Sequence, residues 1–247
     1  MNSCKKTALI TGASGGIGSA AAELLARSDF NIAVHYNKSY EKAYALTDRL
    51  LKQGTDACAF MADISEKSEA DRLFGDVTER FGGVDVLVNN AGVAHQKLFT
   101  DTTDGDFKNI FGVNIGGTVN CCRAAIPYMV HKKSGKIINI SSMWGVAGAS
   151  CEALYSSSKA AVIGLTKALA KELGPSGIQV NCVAPGVIDT EMNKNLTKED
   201  MDALINDTPL SRIGTPRDVA EAILFFASPS SDFITGQVLC VDGGFIL

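Results

Sequence analysis

Tyr155 and Lys159 stand four residues apart in a segment whose spacing reads as a helix, so their side chains share one face. A free tyrosine has a pKa of about 10, too high for ready proton exchange at neutral pH. An ammonium one turn away favours the phenolate and lowers that value. The pair is therefore a workable acid/base device. Taken alone it is short enough to arise by chance on any amphipathic helix. Two serines, Ser141 and Ser142, precede it, the second thirteen residues before Tyr155. A second kind of chemistry opens the chain. Thr11-Gly12-Ala13-Ser14-Gly15-Gly16-Ile17-Gly18 follows a short apolar run and precedes an Ala/Leu-rich segment. A glycine-rich turn between strand and helix lets backbone N–H groups approach a pyrophosphate, and the helix N-terminus favours the anion. Nucleotide binding is the expected use.

These residues need elements to hold them. TALIT (7–11), NIAVHY (31–36), ACAFM (57–61), VDVLVN (84–89), KIINIS (136–141), IQVNCVA (178–184) and QVLCVD (237–242) read as strands. Several are apolar almost throughout, which suits strands covered on both faces. Helical spacing fills 17–26, 41–53, 66–81, 104–131, 155–173 and 216–227. Strand and helix thus alternate from end to end, the pattern of an α/β fold with a doubly wound parallel sheet. No linker or repeat interrupts it, so 1–247 reads as one domain. Residues 190–209 fit least well and read as a mobile insertion near the strand ends. Asp63-Ile64 and Asn89-Asn90-Ala91-Gly92 fall at the carboxyl ends of strands, where such sheets bind ligands.

Composition narrows the classes. The 247 residues are 46% hydrophobic and 20% charged, with a formal charge of -4. That excludes disorder, and it leaves no basic excess to grip a nucleic-acid backbone. The apolar runs are far shorter than the roughly 20 residues of a spanning helix. The start, MNSCKK, does not read as a signal peptide, and a cytoplasmic protein is expected. Seven cysteines (4, 58, 121, 122, 151, 182 and 240) form no CxxC pattern, and with three histidines no metal site is expected.

In order, the chain carries the glycine-rich turn, Asn89-Asn90-Ala91-Gly92, Asn114, Ser142, Tyr155/Lys159, Pro185-Gly186 and Val241-Asp242-Gly243-Gly244. The set resembles the short-chain dehydrogenase/reductase family over essentially the whole chain, most strongly its 3-oxoacyl-[acyl-carrier-protein] reductase branch. The resemblance implies a Rossmann-type seven-stranded sheet in the order 3-2-1-4-5-6-7. It implies that Tyr155 exchanges the proton at the substrate oxygen. Lys159 would tune Tyr155 and bond the cofactor ribose. Ser142 would hold the carbonyl, and Asn114 would hold a water linking Lys159 to solvent. Gly12, Ser14, Gly15, Gly16, Ile17 and Gly18 match the phosphate turn, and Asp63 and Ile64 the residues beside the adenine. Asn90, Ala91 and Gly92 match the path to the nicotinamide; Pro185, Gly186, Ile188 and Thr190 match its cover. A homotetramer is implied as well.

The second strand ends in Asn37-Lys38-Ser39, with no carboxylate to repel a 2′-phosphate, so NADPH is expected over NADH. Many NADP users have Arg where this chain has Gly15. Lys133 matches one basic residue that meets a carrier protein in that branch; its expected companion is Ser176. Trp144 and Glu152, in the loop before Tyr155, are expected at the substrate. A carboxylate at Glu152 would attract a cationic ketone. The alternative substrate is therefore the aminopentanone group on elongation factor P, which a related branch reduces. A relative that binds NADPH without turnover would be free to lose Ser142, Tyr155 or Lys159, and all three are present.

Overall fold

The computed structural model describes residues 5–194 and 196–246; Cys4 lies outside them. The strands are β1 (Thr7–Ile10), β2 (Asn31–Tyr36), β3 (Ala57–Met61), β4 (Val86–Asn89), β5 (Gly135–Ile140), β6 (Ile178–Pro185) and β7 (Val238–Val241). They form one seven-stranded sheet in the order β3-β2-β1-β4-β5-β6-β7, and every pairing is parallel. The order reverses between β1 and β4, which opens a crevice at their carboxyl ends.

Burial explains the apolar runs. All four residues of β1 and all six of β2 are buried, because helices cover both faces. On one face, α1 (Gly16–Arg27), α2 (Tyr40–Lys52) and α9 (Pro216–Ala227) pack Leu25, Leu46 and Ile223 over Ile10, Val34 and Ile138. On the other, α3 (Lys67–Phe81), α5 (Thr118–Lys132) and α7 (Ala153–Leu173) pack Leu73, Met129 and Leu173 over Leu9, Leu87 and Ile137. Neighbouring residues Leu9 and Ile10 thus enter opposite cores, as the two-residue strand period requires.

One expectation needs correction. The continuous helix expected over 104–131 is two helices, α4 (Asp104–Phe111) and α5, separated by a π-helical segment, Gly112–Gly117. Gly117 lies so close to Ile64 that a Cβ there would come within 2.7 Å of Ile64 Cδ1, so the backbone bulges where it crosses the β3 end. The segment 190–209, expected as an insertion near the strand ends, carries regular structure. It holds a 3₁₀ turn, Glu191–Asn193, and a helix, α8 (Lys198–Asp207), started by a capping box between Thr197 and Asp200. A short helix, α6 (Met143–Ala147), also forms after β5.

Candidate active site

β1 runs into the glycine-rich turn, where Gly12 takes a positive φ of 61° that favours glycine. Its N–H donates to His35 Nδ1 at 3.0 Å, and the Ala13 N–H donates to the His35 carbonyl at 2.9 Å. Since Nδ1 accepts, the ring proton sits on Nε2 and is donated to the Ala62 carbonyl at 3.0 Å. His35 is 1% exposed, and burial holds its pKa down at about 4. From the other side, Asn90 Nδ2 donates to the carbonyls of Thr11 and Gly12 at 2.9 and 3.1 Å. Thr11 Oγ1 accepts from the N–H groups of Asn90 and Ala91, each at 3.0 Å. A Cβ on Gly18 would come within 2.5 Å of the Gly12 carbonyl oxygen, so only glycine lets α1 sit this close to the turn. No side chain caps α1, which leaves its first-turn N–H groups available to an anion.

The acid/base residues converge from β5 and α7. Ser142 caps α6, its Oγ accepting from the Trp144 N–H at 3.1 Å. Tyr155 and Lys159 are both buried on the first turns of α7. Lys159 Nζ lies 5.8 Å from the centre of the Tyr155 ring and donates to the Ile140 carbonyl at 2.9 Å. Burial pushes the Tyr155 hydroxyl up to about 12; the Ser142 hydroxyl opposes this and the Glu152 carboxylate adds to it. Burial likewise lowers Lys159 to about 8. The expectation that the ammonium lowers Tyr155 is therefore corrected: the shift is upward, set by the loss of water around the phenol, and the one group that opposes it is Ser142.

Asn114 lies in the π-helical segment. Its Oδ1 accepts from Val93 N–H at 2.8 Å, and its Nδ2 donates to the Val93 carbonyl and to Ser158 Oγ, both at 2.9 Å. The amide thus fixes the loop after β4 to α7. Gly92, in that loop, faces both Lys159 Nζ and Asn114 Oδ1: a Cβ on it would lie 3.1 and 3.3 Å from them.

A cleft of about 990 Å³ opens over these groups. Of the expected cofactor residues, all but Gly18 and Ile64 line it; those two pack beneath the turn and beneath the π-helical segment. Ser142, Tyr155 and Lys159 line its deep end, and Asn37, Lys38 and Ser39 its other end. Asn114 stands behind the wall. Trp144 and Glu152, expected at the substrate, are not among the lining residues. Trp144 packs edge-on against Phe245, ring centres 5.5 Å apart. Sequence reasoning missed Lys42, Glu191 and Asn193, which also line the cleft, and His35, which supports it. No pattern marks His35, because the turn it holds is more than twenty residues away.

A family model described as enoyl-(acyl carrier protein) reductase matches residues 12–246. The chain belongs to the short-chain dehydrogenase/reductase family. It is 40% identical over 97% of its length to 3-oxoacyl-[acyl-carrier-protein] reductase FabG of Staphylococcus aureus, covering 97% of that protein. It is equally 40% identical to the uncharacterized oxidoreductase YmfI of Bacillus subtilis, over 97% of this chain and 98% of the relative. A 3-oxoacyl-[acyl-carrier-protein] reductase of Synechocystis is 40% identical over 98% of this chain and 97% of its own. As a member of the family the chain is an NAD(P)-dependent oxidoreductase with the seven-stranded fold just described. Among the described residues no helix is long and apolar enough to cross a membrane, and no group of three metal-ligating side chains occurs.

Proposed function

We propose that the chain reduces a ketone to a secondary alcohol with NADPH, the ketone being a 3-oxoacyl thioester like the one in the relatives' names. The convergence of Ser142, Tyr155 and Lys159 at the deep end of a cleft that starts at the glycine-rich turn carries this reading. The turn fits a dinucleotide: glycine backbone at Gly12, Gly15 and Gly16, an uncapped α1, and Asn37, Lys38 and Ser39 without a carboxylate among them. When bound, the cofactor supplies the hydride. The protein supplies the rest. Ser142 Oγ bonds the carbonyl oxygen and stabilises the charge that grows there. Tyr155 Oη gives that oxygen its proton, a transfer favoured once the oxygen is an alkoxide, even from a phenol near 12. Lys159 bonds the ribose and returns a proton towards Tyr155. Both N–H groups of the Asn114 amide are spent on Val93 and Ser158, so a water at this residue would donate to an acceptor, such as the backbone carbonyl that already accepts from Thr118 Oγ1 at 2.8 Å. Exposed Phe107 on α4 and Val130 on α5, with the exposed apolar residues around β7, support a homotetramer, and the free cysteines among the described residues suit a reducing cytoplasm.

One observation favours a cationic ketone instead, such as the aminopentanone on elongation factor P. Glu152 stands outside the cleft lining, but its charge reaches Tyr155; it is half-buried, its side chain caps nothing, and burial alone raises it, so its carboxylate lacks a partner. Lys133 is exposed on the surface, and Gly177 next to Ser176 approaches its carbonyl, so one lysine stands where two basic residues would face a carrier. The test is turnover of NADPH with an acetoacetyl thioester and with an amino-ketone beside its uncharged isostere. Tyr155→Phe should lower turnover at least a thousandfold (~10³) while cofactor binding holds. Undiminished turnover in that variant ends the assignment. A preference for the charged ketone that Glu152→Gln removes selects the second substrate; no preference selects the thioester.

A further inference from the structure

Lys38 is the one cation expected for the 2′-phosphate, and it is compromised. Asp63 lies close enough to feel its charge, and its pKa is lowered by the bonds from Ser65 and by the nearby Asn37 and Lys38. Gly15 adds no charge. A second ammonium is nevertheless present. Lys42 lies on the first turn of α2, three residues beyond Ser39, and lines the same end of the cleft. Its Nζ is held 2.5 Å from Glu191 Oε2. Glu191 comes from the opposite wall: its neighbour Thr190 rests on the glycine-rich turn, where a Cβ on Gly16 would lie 2.9 Å from Thr190 Cγ2. Glu23, which also lines the cleft, is already paired with Arg49 at 3.1 Å.

We propose that Lys42 is the second cation for the cofactor's 2′-phosphate and that Glu191 occupies it until that phosphate arrives. The inference rests on the NADPH reading above. The exchange is chemically sound. A phosphate monoester carries a charge of about -1.5 to -2 and three acceptor oxygens, and outcompetes a single carboxylate for an ammonium. Glu191 is not left bare, because Lys194 Nζ also bonds it, at 3.0 Å. Both partners are more than half exposed, so the swap needs no buried charge to be uncovered. NADH presents only a hydroxyl and leaves the pair intact. Glu191 is thus a built-in competitor that sets how strongly the chain prefers the phosphorylated cofactor.

Fluorescence titration of the full chain with NADPH and NADH tests this in Lys42→Ala, Glu191→Gln, the double variant and Lys38→Ala. Lys42→Ala should weaken NADPH about three- to tenfold and NADH less than twofold. Glu191→Gln should tighten NADPH about two- to fivefold, leave NADH alone, and do nothing once Lys42 is Ala. NADH affinity doubles as the check that each variant is folded. If Lys38→Ala discriminates the cofactors but Lys42→Ala and Glu191→Gln do not, the proposal is wrong and the NADPH reading stands. If wild type binds NADH as tightly as NADPH and no variant separates them, the reading itself fails and the proposal with it.

Discussion

His35 shows how one side chain, far from any reacting atom, sets the shape of a binding turn. A neutral imidazole can accept from Gly12 and donate to Ala62 at once; an imidazolium has no acceptor to offer Gly12. Its pKa is about 4 in the fold, against about 6.5 when unfolded. The folded value is the lower one, so the unfolded chain binds more protons between these limits. The stability His35 contributes is therefore complete above pH 6.5 and declines as pH falls towards 4, by roughly 2 kcal/mol at pH 5. Urea denaturation at pH 7 and pH 5 should show this loss in wild type and a shallower one in His35→Asn. His35→Asn should also keep more dinucleotide affinity than His35→Leu, because an amide can still accept from the turn. Equal pH dependence in wild type and Asn variant would sink the role. Lys159 makes a different prediction. Its depressed value of about 8 means that it loses its proton as pH rises through that point, so the rate of ketone reduction should fall there, measured as kcat/KM against pH. The limb should vanish in Lys159→Met along with most activity.

Whole elements place these residues, and a close contact between two of them is invisible in the sequence. α6 meets α7 at Gly145, where a Cβ would lie 2.6 Å from Ser141 Oγ and 2.8 Å from the Lys159 backbone. Gly145→Ala should push α6 away, shift its cap Ser142 and lower kcat more than tenfold, at a stability cost of roughly 1–3 kcal/mol. Gly75, inside α3, has open space where a Cβ would go. Gly75→Ala should instead raise stability by about 0.5–1 kcal/mol with unchanged kcat. Thermal unfolding and steady-state rates on the two variants check the contrast, and equal effects would refute it. The same distinction explains what was legible in the residues. Strands and helices could be read because burial on two faces writes long apolar runs and helical spacing. The glycine-rich turn and Tyr155/Lys159 could be read because their chemistry is local. The helix in the 190–209 segment carried a sign too, Thr197 with Asp200 three residues on, but its polar composition masked it. What could not be read depends on contacts between distant segments: the π-helical break where Gly117 meets Ile64, the wedge of His35 under Gly12, and the bridge from Lys42 to Glu191.

At the scale of the molecule, the sheet has two ends, and β7 is the edge strand at one of them. An uncovered parallel edge leaves backbone groups and side chains facing water. Around this edge, Phe233 is fully exposed, and Phe225 and Leu239 are each 39% exposed. Beside Phe233 a groove of about 460 Å³ is lined by Ile178, Ile234 and Gln237. A homotetramer of the proposed kind would cover this edge with a second copy, each Phe233 entering its partner's groove around a two-fold axis. A buried phenylalanine contributes roughly 1.5–3 kcal/mol. Two-fold symmetry counts it twice per interface, so replacing it shifts the association equilibrium by about two to four orders of magnitude. Phe233→Ser combined with Phe225→Ser should therefore leave dimers held through the other faces, where Phe107 and Val130 are exposed. Sedimentation equilibrium at micromolar concentration should give a tetramer for wild type and a dimer for the double variant, with cofactor affinity unchanged because neither residue lines the cleft. A wild type that sediments as a monomer, or a double variant that stays tetrameric, would show that this edge is not where the copies meet.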